Sequence, residues 1–459
     1  MAARPRPSRP GKPASRSRRA PDRARRLAFD TLRMVHAEGA YANLALAELL
    51  GERGLPPRDA AFATELVAGT CRLQGTYDEI ISAAADRPLN SFQPAVLDLL
   101  RLGAHQVLSL RVPVHAAVAA MVDLAAATVG ERVTGITNAV LRRVAAQDLD
   151  GWLDQLSVGR RPRDVLALRS AHPGWIVDAF AQVLPEAELE PALAADNVNP
   201  DVTLVVRPGL ADVAELTAAG AVPAPYSPFA ARWSGPPGEL AAVREGRAGV
   251  QDEGSQLVAW ALTRVPAPAG PWLDLCSGPG GKTALLTGLA TGPDGPVVAV
   301  EPSSHRAALV AAGSRAYHRR PAVLQADGTQ PAWRPRSFAR VLVDVPCSGL
   351  GALRRRPEAR WRRGPEDVEQ LHGLQRALLA TALDAAAPGG VVAYVTCSPH
   401  QRETADVVTE TLADRTGVTL LRAADLLPEV AQAAAGDFLQ LWPHRHGTDA
   451  MFAAYLRVG

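Results

Sequence analysis

At 459 residues with 47% hydrophobic side chains, the chain can bury cores for about three domains, which excludes a disordered or fibrous protein. Its apolar runs fall short of the roughly 18 residues of a membrane span, the longest, around 116–129, being broken by Asp123; residues 27–35 carry Asp30 and Arg33 where a signal peptide has its apolar core. The net charge of +2 hides an asymmetry, because Met1–Arg26 alone carries +9 and leaves −7 for the rest.

Four cysteines (Cys71, Cys276, Cys347, Cys397) without a C-x-x-C pair argue against a disulfide framework or a metal site, and a cytoplasmic location suits thiols that stay free. Residues 1–21, rich in Arg, Pro and Ser, are expected to be disordered. Such a polybasic arm suits nucleic acid, since each neutralised phosphate releases counterions; the plainer alternative is a solubilising tail.

Residues 22–150 predict an all-helical domain. Val96, Leu99, Leu100, Gly103 and Val107 follow the helical stripe, with breaks at Gly54–Pro57, Arg87-Pro88 and Arg111–Pro113. Segments such as FATELVAGTCRLQGTYDEII and ITNAVLRRV resemble the NusB-like helical domain, which implies an RNA-binding module; packing or dimerisation is the bland alternative. Residues 160–250 predict a small mixed α/β linker domain, with a helix after His172-Pro173, another to about Ala195 and a strand in DVTLVVRP. His172 reads as a local hydrogen-bonding residue rather than a catalyst, because no acid or nucleophile motif accompanies it. Residues 251–459 are the third domain, which GVQDEGSQLVAWAL opens with a turn and helix cap at Gly249–Gln256.

The chain is organised around Pro271–Thr283, PWLDLCSGPGGKT: a short apolar strand, a glycine-rich turn and a helix whose free N–H groups favour an anionic ligand. A P-loop would need glycine where Cys276 stands, and Gly278, Gly280 and Gly281 are too crowded for a dinucleotide motif. The remaining reading is the pocket of an S-adenosylmethionine-dependent methyltransferase, a Rossmann-like parallel α/β sheet. Glu301 after PVVAV, Asp327 after AVLQA and Asp344 after RVLV predict three carboxylates at three successive strand ends, on the rim where open sheets bind ligands. The candidate cofactor site is therefore Cys276, Ser277, Gly278, Pro279, Gly280, Gly281, Lys282, Glu301, Arg306, Asp327 and Asp344. Lys282 is one of only two lysines against 47 arginines, which hints at a specific requirement.

Beyond Asp344, six arginines and a tryptophan crowd into residues 354–363. Arg354, Arg355, Arg356, Arg360, Trp361 and Arg362 beside a cofactor pocket read as a phosphate clamp with an aromatic for stacking. A long amphipathic helix follows, with Pro388-Gly389-Gly390 as its expected stop, and then a fifth strand ending at Cys397. Cys347 and Cys397 thus fall at strand ends on one rim. Two thiols beside an acid suit methylation of cytosine C5, which is too weak a nucleophile until a thiolate adds at C6. That chemistry needs an activated thiol and a flipped or single-stranded base.

With VQDEGSQ, LDLCSGPGGKT, DVPCSGLGALRRRPEARW and YVTCS, the chain resembles the Nol/Nop/Sun family of RNA cytosine-C5 methyltransferases, among them bacterial small-subunit ribosomal RNA enzymes with a NusB-like N-terminal domain. The resemblance implies that 276–282 wraps the cofactor, Glu301 holds its ribose, Asp327 lies near the adenine and Asp344 faces cofactor and base. It further implies Cys397 as nucleophile, Cys347 as the helper in product release, and a monomer acting on small-subunit ribosomal RNA away from membranes. Members commonly have Ala-Ala at Ser277-Gly278, Asp at Glu301, Asn at Thr404 and Gly at Ala450. The alternative is a ribosome-assembly or antitermination factor with an inactive methyltransferase domain, against which the intact acids and cysteines weigh.

Overall fold

The computed structural model describes residues 21–110, 112–291, 294–413 and 415–459, so most of the basic tail lies outside the described residues. The chain divides into two compact units between Val158 and Gly159.

The first unit is helical throughout: α1 (Arg23–Ala37), α2 (Ala42–Arg53), α3 (Pro57–Arg72), α4 (Gln74–Ala85), α5 (Pro94–Leu108), α6 (Val114–Thr128), α7 (Thr134–Val144) and α8 (Leu149–Ser157). Proline at the first position of α3 and α5 costs no hydrogen bond there. Leu27, Leu32, Leu66, Ile80, Leu99, Leu100, Met121 and Leu141 meet in one core, each fully buried side chain contributing about 1.5–3 kcal/mol. The basic stretch does not run free to Arg26, as the charge count suggested. Arg23, Arg25 and Arg26 already belong to α1, where Arg25 lies over the Phe62 ring and Arg26 pairs with Asp30 at 3.0 Å.

The second unit opens with α9 (Pro162–Ser170), α10 (Gly174–Val183) and α11 (Glu186–Ala195). A four-stranded antiparallel sheet follows, built from β1 (Val202–Val206), β2 (Val222–Pro223), β3 (Ala230–Trp233) and β4 (Ala248–Val250), with the short helices α12 (Val213–Ala218) and α13 (Ala241–Arg244) in its connections. His172 is buried and bonded through Nδ1 to the Ser170 carbonyl at 2.8 Å, the structural role expected of it.

The chain then enters a nine-stranded sheet through α14 (Glu253–Arg264), β5 (Trp272–Asp274), α15 (Gly281–Leu289), β6 (Val297–Val300), α16 (Ser304–Gly313), β7 (Ala322–Leu324) and β8 (Phe338–Asp344). Next come α17 (Ala359–Arg362), α18 (Pro365–Ala385), β9 (Ala386–Thr396), α19 (Ala405–Ala413), β10 (Val418–Leu421), β11 (Ala434–Ala435), β12 (Phe438–Gln440), α20 (Pro443–His446) and β13 (Phe452–Val458). The strand order is β11-β12-β13-β9-β8-β5-β6-β7, with β10 beside β13. Strands β7, β6, β5, β8 and β9 are parallel, and β13 runs antiparallel to β9. Helices cover both faces: α14 and α15 pack Leu257, Val258, Ala261 and Leu285 over Leu342 and Val391, while α18 and α19 pack Leu379, Leu383 and Val407 over Leu273, Val341 and Val343. Burial on both faces explains the unbroken apolar run Val341–Val343 where a half-exposed strand would alternate.

Two expected boundaries move. The third parallel strand, β7, stops at Leu324, three residues short of Asp327, which sits in the loop beyond it. Pro388-Gly389-Gly390 does follow the end of α18, but inside β9, where the register against β8 slips between Phe338–Ala386 and Arg340–Val391. The three residues form a bulge, which tolerates proline and glycine where a regular ladder does not.

Candidate active site

The chain runs from β5 outward through β6 and β7, then returns to β8 on the other side of β5. Ligands bind at the carboxyl ends of strands where the order reverses in this way. At that point β5 gives way to residues 275–280 and the first turn of α15. Asp274 ends β5, is buried, and accepts from the Thr283 hydroxyl at 2.6 Å, tying strand end to helix start. Burial first, and then the Asp344 charge, push its carboxyl up to about 7 against the lowering pull of Thr283. Its second oxygen has no partner among the described residues.

The loop itself is shaped by what lacks a side chain. Ser277 donates through N–H (2.9 Å) and hydroxyl (3.1 Å) to the Val300 carbonyl, fixing the loop to the end of β6. Gly278 N–H donates to Glu301 Oε2 at 3.1 Å, and a Cβ on Gly278 would lie 2.2 Å from that oxygen. Arg306 closes the same turn, donating to the Gly278 carbonyl with its guanidinium 3.7 Å from Glu301. The Gly278–Pro279 peptide is cis, and Gly280 caps α15 at φ +105° with its missing Cβ 2.8 Å from Val310 Cα. At Gly281 the Gln251 amide lies within 3.4–3.6 Å of where a Cβ would stand, and its Oε1 is buried without a partner among the described residues. Cys276 is half-buried, and burial followed by the charges of Asp274, Asp344 and Glu301 raises its thiol pKa, so it stays neutral. Glu301 uses its other oxygen on Ser303 N–H at 3.1 Å. Asp327 is exposed and accepts from the Thr329 N–H and hydroxyl at 2.9 and 2.8 Å, the backbone bond first among the causes that lower its pKa.

Toward β8, Lys282 Nζ donates to Asp344 Oδ2 at 2.7 Å. Burial works against the ammonium, but the Asp344 charge and hydrogen bond, joined by the charge of Cys397, raise its pKa all the same. Cys397 directly follows β9, Cys347 lies three residues beyond β8, and their sulfurs are 3.4 Å apart. The hydrogen bond with Cys397 and then burial hold the Cys347 thiol well above the usual range. Backbone bonds strap the two loops together: Gly351 N–H donates to the Cys397 carbonyl at 2.8 Å, and Ala450 N–H to the Gly351 carbonyl at 2.8 Å. Any side chain at Gly351 would stand 2.0 Å from the Ala450 oxygen. A hollow between α18 and α19, lined by Arg376, Asp384, Glu410 and Arg415, contains none of these residues, and its charges already pair with one another.

The arginine segment departs from expectation. Arg354 is buried and donates to Asp449 at 2.6 Å, Asp252 at 2.9 Å and the Gly447 carbonyl at 2.9 Å. Arg355 reaches the same two carboxylates at 2.8–3.1 Å. Arg360 is fully buried on the Ala171 and Asp196 carbonyls and Asn197 Oδ1. All three are internal cross-links rather than a phosphate clamp, because each guanidinium has its acceptors inside the fold. Arg356 and Arg362 are exposed, and Trp361 is half-buried. Asp252, Asp274, Asp449 and Glu403 escaped the sequence reading. Asp274 could have been found as the last residue of the strand before the loop; Asp252 and Asp449 answer Arg354 and Arg355 only through contacts 94–103 residues apart.

The model of the family described as 16S rRNA methyltransferase RsmB/F matches residues 261–457, and that of the NusB family matches residues 22–146. A putative methyltransferase of Mycobacterium tuberculosis is 52% identical over 96% of this chain and 97% of its own length. A probable ribosomal RNA small subunit methyltransferase B of Synechocystis is 32% identical over 95% and 99%. Among solved structures, PH0851 superposes with a TM-score of 0.79 at 21% identity over 94% of this chain and 98% of its own, a likeness of fold. Matched in both parts by family models and along nearly its whole length by relatives, the chain belongs to the RsmB/F family of 16S rRNA methyltransferases, with a NusB-family domain at its N-terminal side.

Proposed function

We propose that the protein transfers a methyl group from S-adenosylmethionine to C5 of a cytosine in RNA, in small-subunit ribosomal RNA, through a covalent bond between Cys397 and C6. The observation that carries this is the pair of thiols 3.4 Å apart on neighbouring strand ends beside the Lys282–Asp344 pair, since methylation at nitrogen or oxygen needs no thiol. The names of the relatives supply the RNA class.

The loop fits a nucleoside cofactor bearing an amino-acid group. Gly278 and Gly280 let the turn lie directly against Glu301 and Val310, Glu301 would offer a carboxylate to a diol, the exposed Asp327 would serve the adenine, and the first N–H groups of α15 suit a carboxylate. When bound, the cofactor supplies the electrophilic methyl group that activated C5 accepts. The chain's own residues do the rest. Lys282 places positive charge beside Cys397, the sulfur that adds at C6. Asp344 accepts from the exocyclic amine of the base, and Cys347, which keeps its proton, serves the release step. Base recognition requires an extruded or unpaired nucleotide.

Bisulfite mapping of ribosomal RNA from cells with and without the gene tests this reading. One cytosine is expected to lose protection from conversion when the gene is absent and to regain it on incubation of the RNA or subunit with purified protein and S-adenosylmethionine. An unchanged map, with methyl incorporated at another base or atom, would overturn it.

A further inference from the structure

Glu403 carries a buried carboxylate that forms no ion pair among the described residues. Such a charge is costly unless donors surround it, and here they do. Oε1 accepts from Ser348 N–H at 2.7 Å and from Gln375 Nε2 at 3.1 Å; Oε2 accepts from the Ser348 hydroxyl. The Ser348 hydroxyl also meets the Ser398 hydroxyl at 3.3 Å, and Gln375 donates at 2.9 Å to the Pro346 carbonyl. The Glu403 backbone carbonyl accepts from Tyr394 at 2.7 Å. Ser348 follows Cys347 and Ser398 follows Cys397, so this one carboxylate holds the residue after Cys347 directly and the residue after Cys397 through the Ser348 hydroxyl.

We propose that Glu403 is a positioning residue that sets the two cysteine loops against each other and keeps the shared proton of the thiol pair on Cys347, leaving Cys397 as the nucleophile. The proposal rests on the cytosine reading for what the thiols act on, but its proton placement is a property of the free protein. The charged and titratable groups around the pair act in two directions. Lys282 from α15 sets its ammonium beside Cys397; at Cys347 the hydrogen bond with Cys397 and then burial oppose a thiolate, and the charges of Cys397 and Glu403 add to them. Tyr394 from β9 is kept neutral first by burial and then by the charges of Cys347, Glu403 and Asp344. His400 lies near Glu403 and is held below its ordinary range by burial, so it brings no fixed positive charge to offset the carboxylate. In the addition step the Cys397 proton has already passed to solvent; the S–C6 bond forms as the C5–C6 π pair moves to C5, and Cys347 keeps its own proton throughout.

The test is Glu403→Gln, nearly isosteric and uncharged, with labelling by iodoacetamide followed residue by residue across pH in the absence of RNA. In the unaltered protein Cys397 is expected to label at lower pH than Cys347. In Glu403→Gln the Cys347 profile should move down by about one pH unit, and kcat should fall about 100-fold, as for a misplaced reacting group, with KM for RNA unchanged. A Cys347 profile identical to the unaltered protein would overturn the proton placement, and an unchanged kcat would overturn the positioning. If Glu403→Gln does not fold, Ser348→Ala, which removes one bond and keeps the charge, carries the test: a lower kcat at unchanged KM supports the positioning role and an unaltered kcat overturns it. The labelling profiles need no cytosine, so a wrong substrate reading would leave the predicted profile shift in place, whereas a wrong role for Glu403 would abolish the shift while methylation of cytosine persisted.

Discussion

The glycine loop at 276–282 and the arginine segment at 354–363 are the two stretches that composition marks out most sharply, and they behave differently in the folded chain. In the loop, the missing side chains are themselves the feature: backbone passes close to Glu301 and Val310 because nothing intervenes, and the geometry follows from the local sequence. In the arginine segment, what matters is where the acceptors lie, and those are Asp252, Asp449, Asp196 and Ala171, from about 95 to 190 residues away. Backbone shape is written locally; a charge declares its role only once its partner is known.

The comparison can be broken most forcefully at Arg354. Arg354→Ala leaves the buried carboxylates of Asp252 and Asp449 with Arg355 as their one remaining guanidinium among the described residues, and urea unfolding should show a loss of about 3 kcal/mol, with no change in the salt dependence of RNA binding for whatever folds. A variant as stable as the parent would mean that Arg354 is not an internal cross-link. In the loop, Gly278→Ala should leave the fold intact and weaken S-adenosylmethionine by about 1–3 kcal/mol in calorimetry, because the new methyl displaces Glu301 from its bond to the turn. Unaltered affinity would show that the close approach at Gly278 is incidental.

Smaller effects sharpen the division inside the arginine segment. Arg356→Ala and Arg362→Ala, at exposed positions, should each reduce the slope of log K against log salt for RNA by roughly one, whereas Arg360→Ala should not. Below Arg360 lies Asp196, whose carboxyl burial pushes up to about 7, against the lowering effect of Arg360. The folded state therefore holds this proton where the unfolded chain has lost it, so the stability it contributes is full below about pH 4 and is lost as pH rises through 7. Asp196→Asn should accordingly gain stability relative to the parent between pH 5 and pH 8, read from denaturation at both. A difference that does not grow with pH would contradict the raised carboxyl.

Most of the architecture was legible because it rests on local signals. Apolar runs marked the parallel strands and helical stripes marked the NusB-family domain. The thiols of Cys347 and Cys397 could be placed on one rim from their strand ends alone, since parallel strands share an edge, although their 3.4 Å separation depends on β8 and β9 being neighbours. Asp327 was put on a strand because β-type residues precede it; the strand ends earlier, where pairing with β6 ends at Leu324. Glu403 was passed over because nothing in HQRET announces that a carboxylate will turn inward to Ser348, 55 residues away in sequence.

The two thiols remain the center of the account, and a denaturing gel of protein incubated with substrate RNA and S-adenosylmethionine tests them most directly. Cys397→Ala should form no covalent complex and transfer no methyl group, while Cys347→Ala should accumulate a protein–RNA adduct that persists after methylation. An adduct trapped by Cys397→Ala and none by Cys347→Ala would exchange the roles, and full methylation by both variants without any adduct would contradict thiol catalysis altogether.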